Sequence, residues 1–210
     1  MIASEEQARA FVAARCDREA TARLDYFARL LTEESLRQNL ISANSTDHLW
    51  QRHIADSAQL LDHSPAGILS PWLDLGSGAG FPGLVIAVMR PDWPITLVES
   101  RRLRIDWLNH VVQTLRLENC SVLGARLEVV DPFPAGVISA RAFAPLPKLL
   151  RLARPFSTAD TVWLLPKGRS AAQEVADLPV QERRMFHVEQ SVSDGESGIV
   201  IGRTIRGTGR

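Results

Sequence analysis

Apolar positions in the first third of the chain recur at helical spacing. Ser4-Glu5-Glu6-Gln7 reads as a capping box that opens a helix, and Phe11 and Val12 mark its apolar face. Leu24, Phe27 and Leu31, flanked by Tyr26 and Leu30, return every three or four residues and predict a second helix over 19–38. The polar stretch 39–47 predicts a loop, and a short helix is expected over 49–61. Residues 1–70 are therefore expected to form a helical extension.

The pattern changes at Pro71. Short apolar runs at 72–75, 95–99, 121–123, 137–139 and 161–165 predict strands. Helices are expected between them at 82–89, with Pro82 in the first turn, and at 102–115, 147–156 and 170–177. Residues 186–191 and 198–205 predict a final strand pair. Strands alternating with helices imply an α/β fold over 71–210: a Rossmann-like, mostly parallel seven-stranded sheet with helices on both faces.

Composition adds bounds to this picture. At 210 residues, 45% apolar and 23% charged, the chain is of a size and make-up for one globular unit. No apolar run approaches the roughly 18 residues of a membrane span, and the first residues lack the basic and apolar regions of a signal peptide. A cytoplasmic protein is expected. Cys16 and Cys120 make neither a metal spacing nor a disulfide framework, and both are expected to be buried or inert thiols. The net charge of zero weighs against a nucleic-acid partner, but its distribution is uneven. Residues 1–70 carry seven Arg against ten acids, whereas 143–210 carry ten Lys or Arg against seven. Arg101, Arg102 and Arg104 cluster, and the only lysines are Lys148 and Lys167. Arginine suits bidentate phosphate contacts, although genome composition alone can favour it.

The candidate chemistry centres on Asp74-Leu75-Gly76-Ser77-Gly78-Ala79-Gly80-Phe81-Pro82-Gly83. A strand feeds glycines that let a ligand approach the backbone. Gly78, Gly80 and Gly83 formally match the dinucleotide fingerprint, but the register is wrong, because Gly76 comes first and Pro82 intervenes. Asp74 would repel a pyrophosphate, and it suits the cationic sulfonium and ammonium of S-adenosylmethionine. Glu99 ends the second strand, where a carboxylate can accept both ribose hydroxyls. The alternative is that Asp74 caps the glycine turn and Glu99 pairs with Arg101 or Arg102. The two carboxylates around a Gly-x-Gly-x-Gly turn favour a methyltransferase that binds S-adenosylmethionine. Leu127, after the third strand, can pack on an adenine.

The acceptor is narrowed by what the sequence lacks. Asp131-Pro132-Phe133-Pro134 precedes the fourth strand, whereas an amino-methylating enzyme needs such a turn after it. Neither cysteine fits a cytosine-C5 enzyme, and no carboxylate cluster after the fourth strand suits a metal-dependent one. No metal site is expected. Guanine N7 has a free lone pair and needs no base, and a site with Arg141 and Lys167 is compatible with it.

Here the chain resembles the bacterial 16S ribosomal RNA guanine-N7 methyltransferase family over nearly its whole length. The resemblance is carried by Gln38-Asn39-Leu40-Ile41, Arg52-His53-Ile54-Ala55-Asp56-Ser57, the 74–83 turn, Leu97-Val98-Glu99-Ser100, Ala125-Arg126-Leu127-Glu128, Ser139-Ala140-Arg141-Ala142 and Lys167-Gly168. It implies that Gly76 and Phe81 contact the cofactor, that Leu127 and Glu128 flank the adenine, and that Arg141 lies where cofactor and target base meet. It implies that His53, Arg126 and Lys167 line the RNA-facing cleft, with Arg141 and Lys167 serving catalysis. The partner implied is 16S ribosomal RNA or the small ribosomal subunit, and the enzyme is expected to be a monomer. Of the family's basic pair after the second strand, Leu103 holds the first position and Arg104 the second, which leaves phosphate contact there open. Read alone, His53 could be satisfied by Asp56 or a backbone carbonyl, and Arg141 could be a structural partner of Asp74 or Glu128.

Overall fold

In the computed structural model of this protein, residues 1–67 and 70–203 are described. Helix α1 spans Glu5–Ala13. Ser4 Oγ accepts the Gln7 N–H at 3.1 Å, and the Gln7 side chain accepts the Ala3 N–H at 2.8 Å. The expected box forms, with its return bond displaced to Ala3. Helix α2 covers Arg18–Ser35, starting earlier and ending sooner than its periodicity predicts. Its start is set by Asp17, whose carboxylate accepts the Ala20 N–H at 2.7 Å, a cap worth roughly 1 kcal/mol.

The loop expected at 39–47 contains a short helix, α3 (Ala43–Thr46). The helix expected over 49–61 is one helical run of changing pitch. It is π-helical over Trp50–Ala55, α-helical over Asp56–Ala58 (α4) and 3₁₀ over Gln59–His63. Glu5 ties this run to α1, accepting the Trp50 N–H at 3.0 Å and the Gln51 N–H at 2.8 Å.

Seven strands form one sheet: β1 (Trp72–Leu75), β2 (Ile95–Glu99), β3 (Cys120–Gly124), β4 (Val137–Ala140), β5 (Val162–Lys167), β6 (Phe186–Gln190) and β7 (Gly198–Arg203). The order is β3-β2-β1-β4-β5-β7-β6. The first five are parallel, and β7 runs antiparallel to both β5 and β6. This is the expected mostly parallel sheet; the last two residues of the predicted final strand lie outside the described residues. The connecting helices are α5 (Gly83–Met89), α6 (Arg102–Thr114), α7 (Leu146–Ala153), α8 (Ala171–Ala176) and α9 (Val180–Arg183). The first of these begins after Pro82, which caps it rather than entering its first turn. The helix expected over 147–156 ends at Ala153 and tightens to a 3₁₀ turn over Arg154–Phe156. The four-residue α9 was not predicted from the pattern, being too short to show a period.

Helices cover both faces. Every residue of α5 is buried, because the helix lies between the sheet and the N-terminal helices α2 and α4. Leu24, Phe27, Leu31, Ile54, Leu84, Val88 and Trp107 share one apolar cluster on that face. Leu73, Leu75, Ile138, Leu149, Phe156 and Trp163 make the cluster on the other. The N-terminal helices thus complete a face of the sheet. Cys120 is buried and its thiol is pushed up to about 12 by burial and by the Asp74 charge, as expected of an inert thiol.

Candidate active site

The carboxyl ends of parallel strands, where neighbouring connections leave in opposite directions, are where open α/β sheets bind ligands. Here that point lies between β1 and β4. A cleft of about 420 Å³ opens there, in the range of small-molecule sites. It is built largely from the segments at and after the ends of the first four strands: 76–79, 98–101 with Arg104, 125–128 and 141–144.

Its floor is the glycine turn. Gly78 has φ +56°, and a Cβ there would meet nothing nearer than 3.5 Å, so the missing side chain leaves open cleft. Glu99 fixes this turn from β2. Its Oε2 accepts the Gly78 N–H at 3.0 Å, and its Oε1 accepts those of Ser100 and Arg101 at 2.7 and 2.9 Å. With one protein donor on Oε2, a lone pair remains for a ligand hydroxyl. Leu127, 4% exposed, presents an apolar wall, and Glu128 stands beside it. An adenosine-sized ligand with ribose hydroxyls and a flat base fits this acceptor and these walls.

Arg141 leaves β4 at the junction with a second, adjoining cleft of about 710 Å³. Its guanidinium carbon lies 4.8 Å from the Phe81 ring centre. Its Nη1 donates to the Arg52 carbonyl at 3.3 Å and stands 3.5 Å from Asp56 Oδ2. Burial lowers its pKa, while Asp56 and Asp74 act in the opposite direction. Arg141, Ala142, Phe143 and Ala144 line both clefts. Ala142 holds φ +53°, a left-handed conformation that costs a residue with a Cβ about 1–2 kcal/mol. Such strain persists only where neighbours enforce it. Lys167 Nζ donates to the Ala144 carbonyl, two residues on, at 3.0 Å and to Glu174 Oε2 at 2.9 Å. Glu174 in turn accepts the Leu146 N–H at 2.8 Å and the Ser170 hydroxyl at 3.0 Å. Burial pushes the Glu174 pKa up, but Lys167, Leu146 and Ser170 outweigh it and the net shift is downward.

The first cleft brings together Gly76, Gly78, Phe81, Glu99, Arg104, Arg126, Leu127, Glu128 and Arg141 from distant parts of the sequence. Four expected site residues stand differently. Asp74 is fully buried and is not in the cleft wall. It lies in register with Ser139 on β4, accepts that hydroxyl at 2.6 Å and accepts the Gly83 N–H at 3.3 Å. Burial raises its pKa against these bonds. Asp74 therefore staples the turn from beneath, as a carboxylate that caps the glycine turn does. Gly80 also lies off the cleft wall; its missing Cβ makes room for Leu84.

His53 lines neither cleft. Its ring lies 5.0 Å from that of Phe81 at 21°, and both ring nitrogens are buried without a hydrogen-bond partner. Burial, then the charges of Arg141 and Arg52, hold its pKa down to about 3. It is a half-buried neutral ring stacked on Phe81. Lys167 does line the second cleft, but its ammonium is already engaged by Glu174. The residues that sequence reasoning missed are Asp56, Ala142 and Glu174. Asp56 and Ala142 both stand inside motifs that carry the resemblance, whereas nothing in a lone Glu signals the role of Glu174.

Among the described residues no group of His, Cys, Asp and Glu is arranged to hold a metal ion, and no helix is long and apolar enough to cross a membrane.

The model of the GidB family, described as rRNA small subunit methyltransferase G, matches residues 20–197. The Ribosomal RNA small subunit methyltransferase G of Erythrobacter litoralis is 58% identical over 97% of this chain and 98% of its own length. The protein of the same name from Novosphingobium aromaticivorans is 50% identical, over 91% of this chain and 84% of its own. Among solved structures, a SAM dependent methyltransferase from Aquifex aeolicus superposes with a TM-score of 0.58 at 13% identity, covering 82% of this chain and 98% of that one. At that identity the likeness speaks for the fold alone.

Proposed function

The chain belongs to the rRNA small subunit methyltransferase G family, and from that premise we propose how its two clefts divide one reaction. The protein is an enzyme that methylates 16S ribosomal RNA from S-adenosylmethionine. The first cleft holds the cofactor: Glu99 takes the ribose hydroxyls, Leu127 and Glu128 flank the adenine, and Gly76, Gly78 and Phe81 form the turn against it. The second cleft receives the target base, with guanine N7 as the acceptor atom. Residues 71–210 are the methyltransferase domain, and 1–70 are a helical extension packed on it. The enzyme works in the cytoplasm as a monomer.

The observation that carries this division is the junction itself, since Arg141–Ala144 line both clefts. Bound there, the cofactor supplies an electrophilic methyl on a sulfonium. The protein contributes alignment, because bringing two reactants into line can supply much of a barrier. Guanine N7 keeps its lone pair at neutral pH, so no proton has to leave the base before transfer. In support of this reading, His53 is held neutral and lines neither cleft. The target nucleotide has to be unpaired or flipped to enter. Arg104 and Arg126 line the first cleft, and their charges would meet the RNA backbone there.

The test is transfer of labelled methyl to 16S RNA and to small subunits from cells lacking the enzyme, followed by mass mapping of the nucleosides. A single 7-methylguanosine is expected. A methyl on an exocyclic amine or on ribose would refute the acceptor assignment.

A further inference from the structure

Arg141 is shared by both clefts, and its placement rests on a carboxylate that the reading above does not use. Asp56, in the helical run after the π-turn, divides its two oxygens. Oδ1 accepts Gln59 Nε2 at 2.8 Å and the Ser193 hydroxyl at 2.7 Å, with the Ser191 hydroxyl at 3.4 Å. Oδ2 is left facing Arg141 Nη1 at 3.5 Å. Gln59, Ser191 and Ser193 are all buried. Gln59 is itself locked by the Val192 N–H, which its Oε1 accepts at 2.8 Å.

The anchors come from opposite ends of the chain, Gln59 from the N-terminal helices and Ser191 and Ser193 from the loop between β6 and β7. An arginine side chain left to itself carries about 2 kcal/mol of rotamer entropy, which a fixed counter-charge on a pre-ordered network removes. A carboxylate needed only for packing would have no reason to aim one oxygen, with no other hydrogen bond, at the guanidinium between the clefts.

We propose that Asp56 is the positioning residue of Arg141: anchored by Gln59 and Ser193, it holds the guanidinium over Phe81 at the junction where methyl donor and acceptor meet. The proposal rests on the reading of Arg141 as a residue of the reacting centre.

The test compares wild type, Asp56→Asn, Ser193→Ala, Arg141→Ala and the Asp56→Asn/Arg141→Ala double variant. Single-turnover transfer to small subunits from cells lacking the enzyme gives the rate. Calorimetry with S-adenosylmethionine and filter binding of the same subunits give the affinities. Asp56→Asn keeps an acceptor for Gln59 and Ser193 and removes the charge. Its rate should fall about 10- to 100-fold, as for the loss of one charge-assisted bond, with both affinities within about threefold. The double variant should be no slower than Arg141→Ala, because residues acting as a unit are non-additive. Ser193→Ala keeps the charge but loosens its anchor, and should lose about threefold or more in rate.

A wild-type rate in Asp56→Asn, additive losses in the double variant, or an affinity loss that matches the rate loss would each overturn the proposal. Should Asp56→Asn fail to fold, a wild-type rate in Ser193→Ala overturns it instead. Full activity in Arg141→Ala would sink the underlying reading of Arg141. An inactive Arg141→Ala beside an active Asp56→Asn sinks only the role of Asp56.

Discussion

Lowering the pH from 8 to 5 should cost this protein stability through one imidazole. His53 is stacked at 5.0 Å on Phe81 with both nitrogens buried and unpartnered. A proton placed on it finds no acceptor and adds a charge beside Arg141 and Arg52. Burial first, and then those two charges, hold its pKa down to about 3 against the ordinary 6.5. Between these values the unfolded chain binds the proton and the folded chain does not. The stability tied to the neutral ring is therefore complete above pH 6.5 and drains away as the pH falls towards 3. Linkage with these two values gives a loss of about 2 kcal/mol at pH 5 relative to pH 8. For a chain of this size that corresponds to about 4–8 °C in Tm. His53→Phe keeps an aromatic ring on Phe81 and removes the titrating nitrogens. In urea melts at the two pH values, wild type should lose about 2 kcal/mol more than the variant. At pH 8 the variant should be no less stable than wild type, because an unsatisfied buried polar atom costs about 1–3 kcal/mol. Equal losses in the two proteins would refute the reasoning, since they would mean that the folded state accommodates the proton. The methyl-transfer rate should show no acidic limb from His53 between about pH 6 and 8.

Other substitutions separate the parts of the site. Gly78→Val places a β-branched side chain at φ +56° in the open cleft; the chain should fold, less stably by about 1–2 kcal/mol, and S-adenosylmethionine binding by calorimetry should be lost. Normal binding would show that the glycine serves only the turn. Gly83→Ala would put a Cβ 2.2 Å from Leu97 Cδ2 and 2.8 Å from Asp74 Oδ2, so thermal melts should show a loss of about 1–3 kcal/mol. Lys167→Ala should lower stability by about 1–2 kcal/mol and slow transfer by releasing the Ala144 carbonyl, with the salt dependence of RNA binding unchanged. Arg126→Ala, at the exposed rim of the first cleft, should instead reduce the slope of log K against log salt by about 1, and the reverse assignment of slopes would exchange the roles of the two residues.

Much of the fold could be read from spacing. The four inner parallel strands, β1, β2, β4 and β5, announce themselves as short apolar runs because both faces of the sheet are covered there, and β1, β2 and β4 are buried at every position. Period does not report pitch, so the run 50–63 reads as an ordinary helix although it is π-helical and then 3₁₀. Its shape is set by tertiary bonds, such as the Glu5 carboxylate on the Trp50 and Gln51 N–H groups, from a residue far away in the sequence. Helix ends shifted for a local reason, as Asp17 and Pro82 stand at the N-caps of helices whose apolar repeats pointed elsewhere.

The site was legible as a set of residues but not as a set of directions. Glu99 and Asp74 both sit near strand ends beside the glycine turn, and residue type alone gives both a claim on the cofactor, Asp74 on its cationic groups and Glu99 on its ribose hydroxyls. Register separates them. Asp74 is directly opposite Ser139 on the neighbouring strand, so its carboxylate is consumed within the sheet, whereas Glu99 ends β2 and reaches the cleft wall. The same logic divides the cations. Arg104, Arg126 and Arg141 reach the first cleft, but Lys167 is met at 2.9 Å by Glu174, a residue that only the turn into α8 brings beside it. A charge in a sequence is a candidate for a ligand until its partner is known, and the partners here come from elements packed alongside. That is why Asp56 matters more than its place in a motif suggests. In the proposed reaction the junction holds a cation at a fixed point over Phe81; the left-handed Ala142 follows Arg141 in the chain, and the anchored Asp56 carboxylate faces the end of its side chain. Backbone and side chain are held from opposite sides, by Lys167 through Ala144 and by Asp56 through the guanidinium, so loosening either should blunt transfer without emptying either cleft.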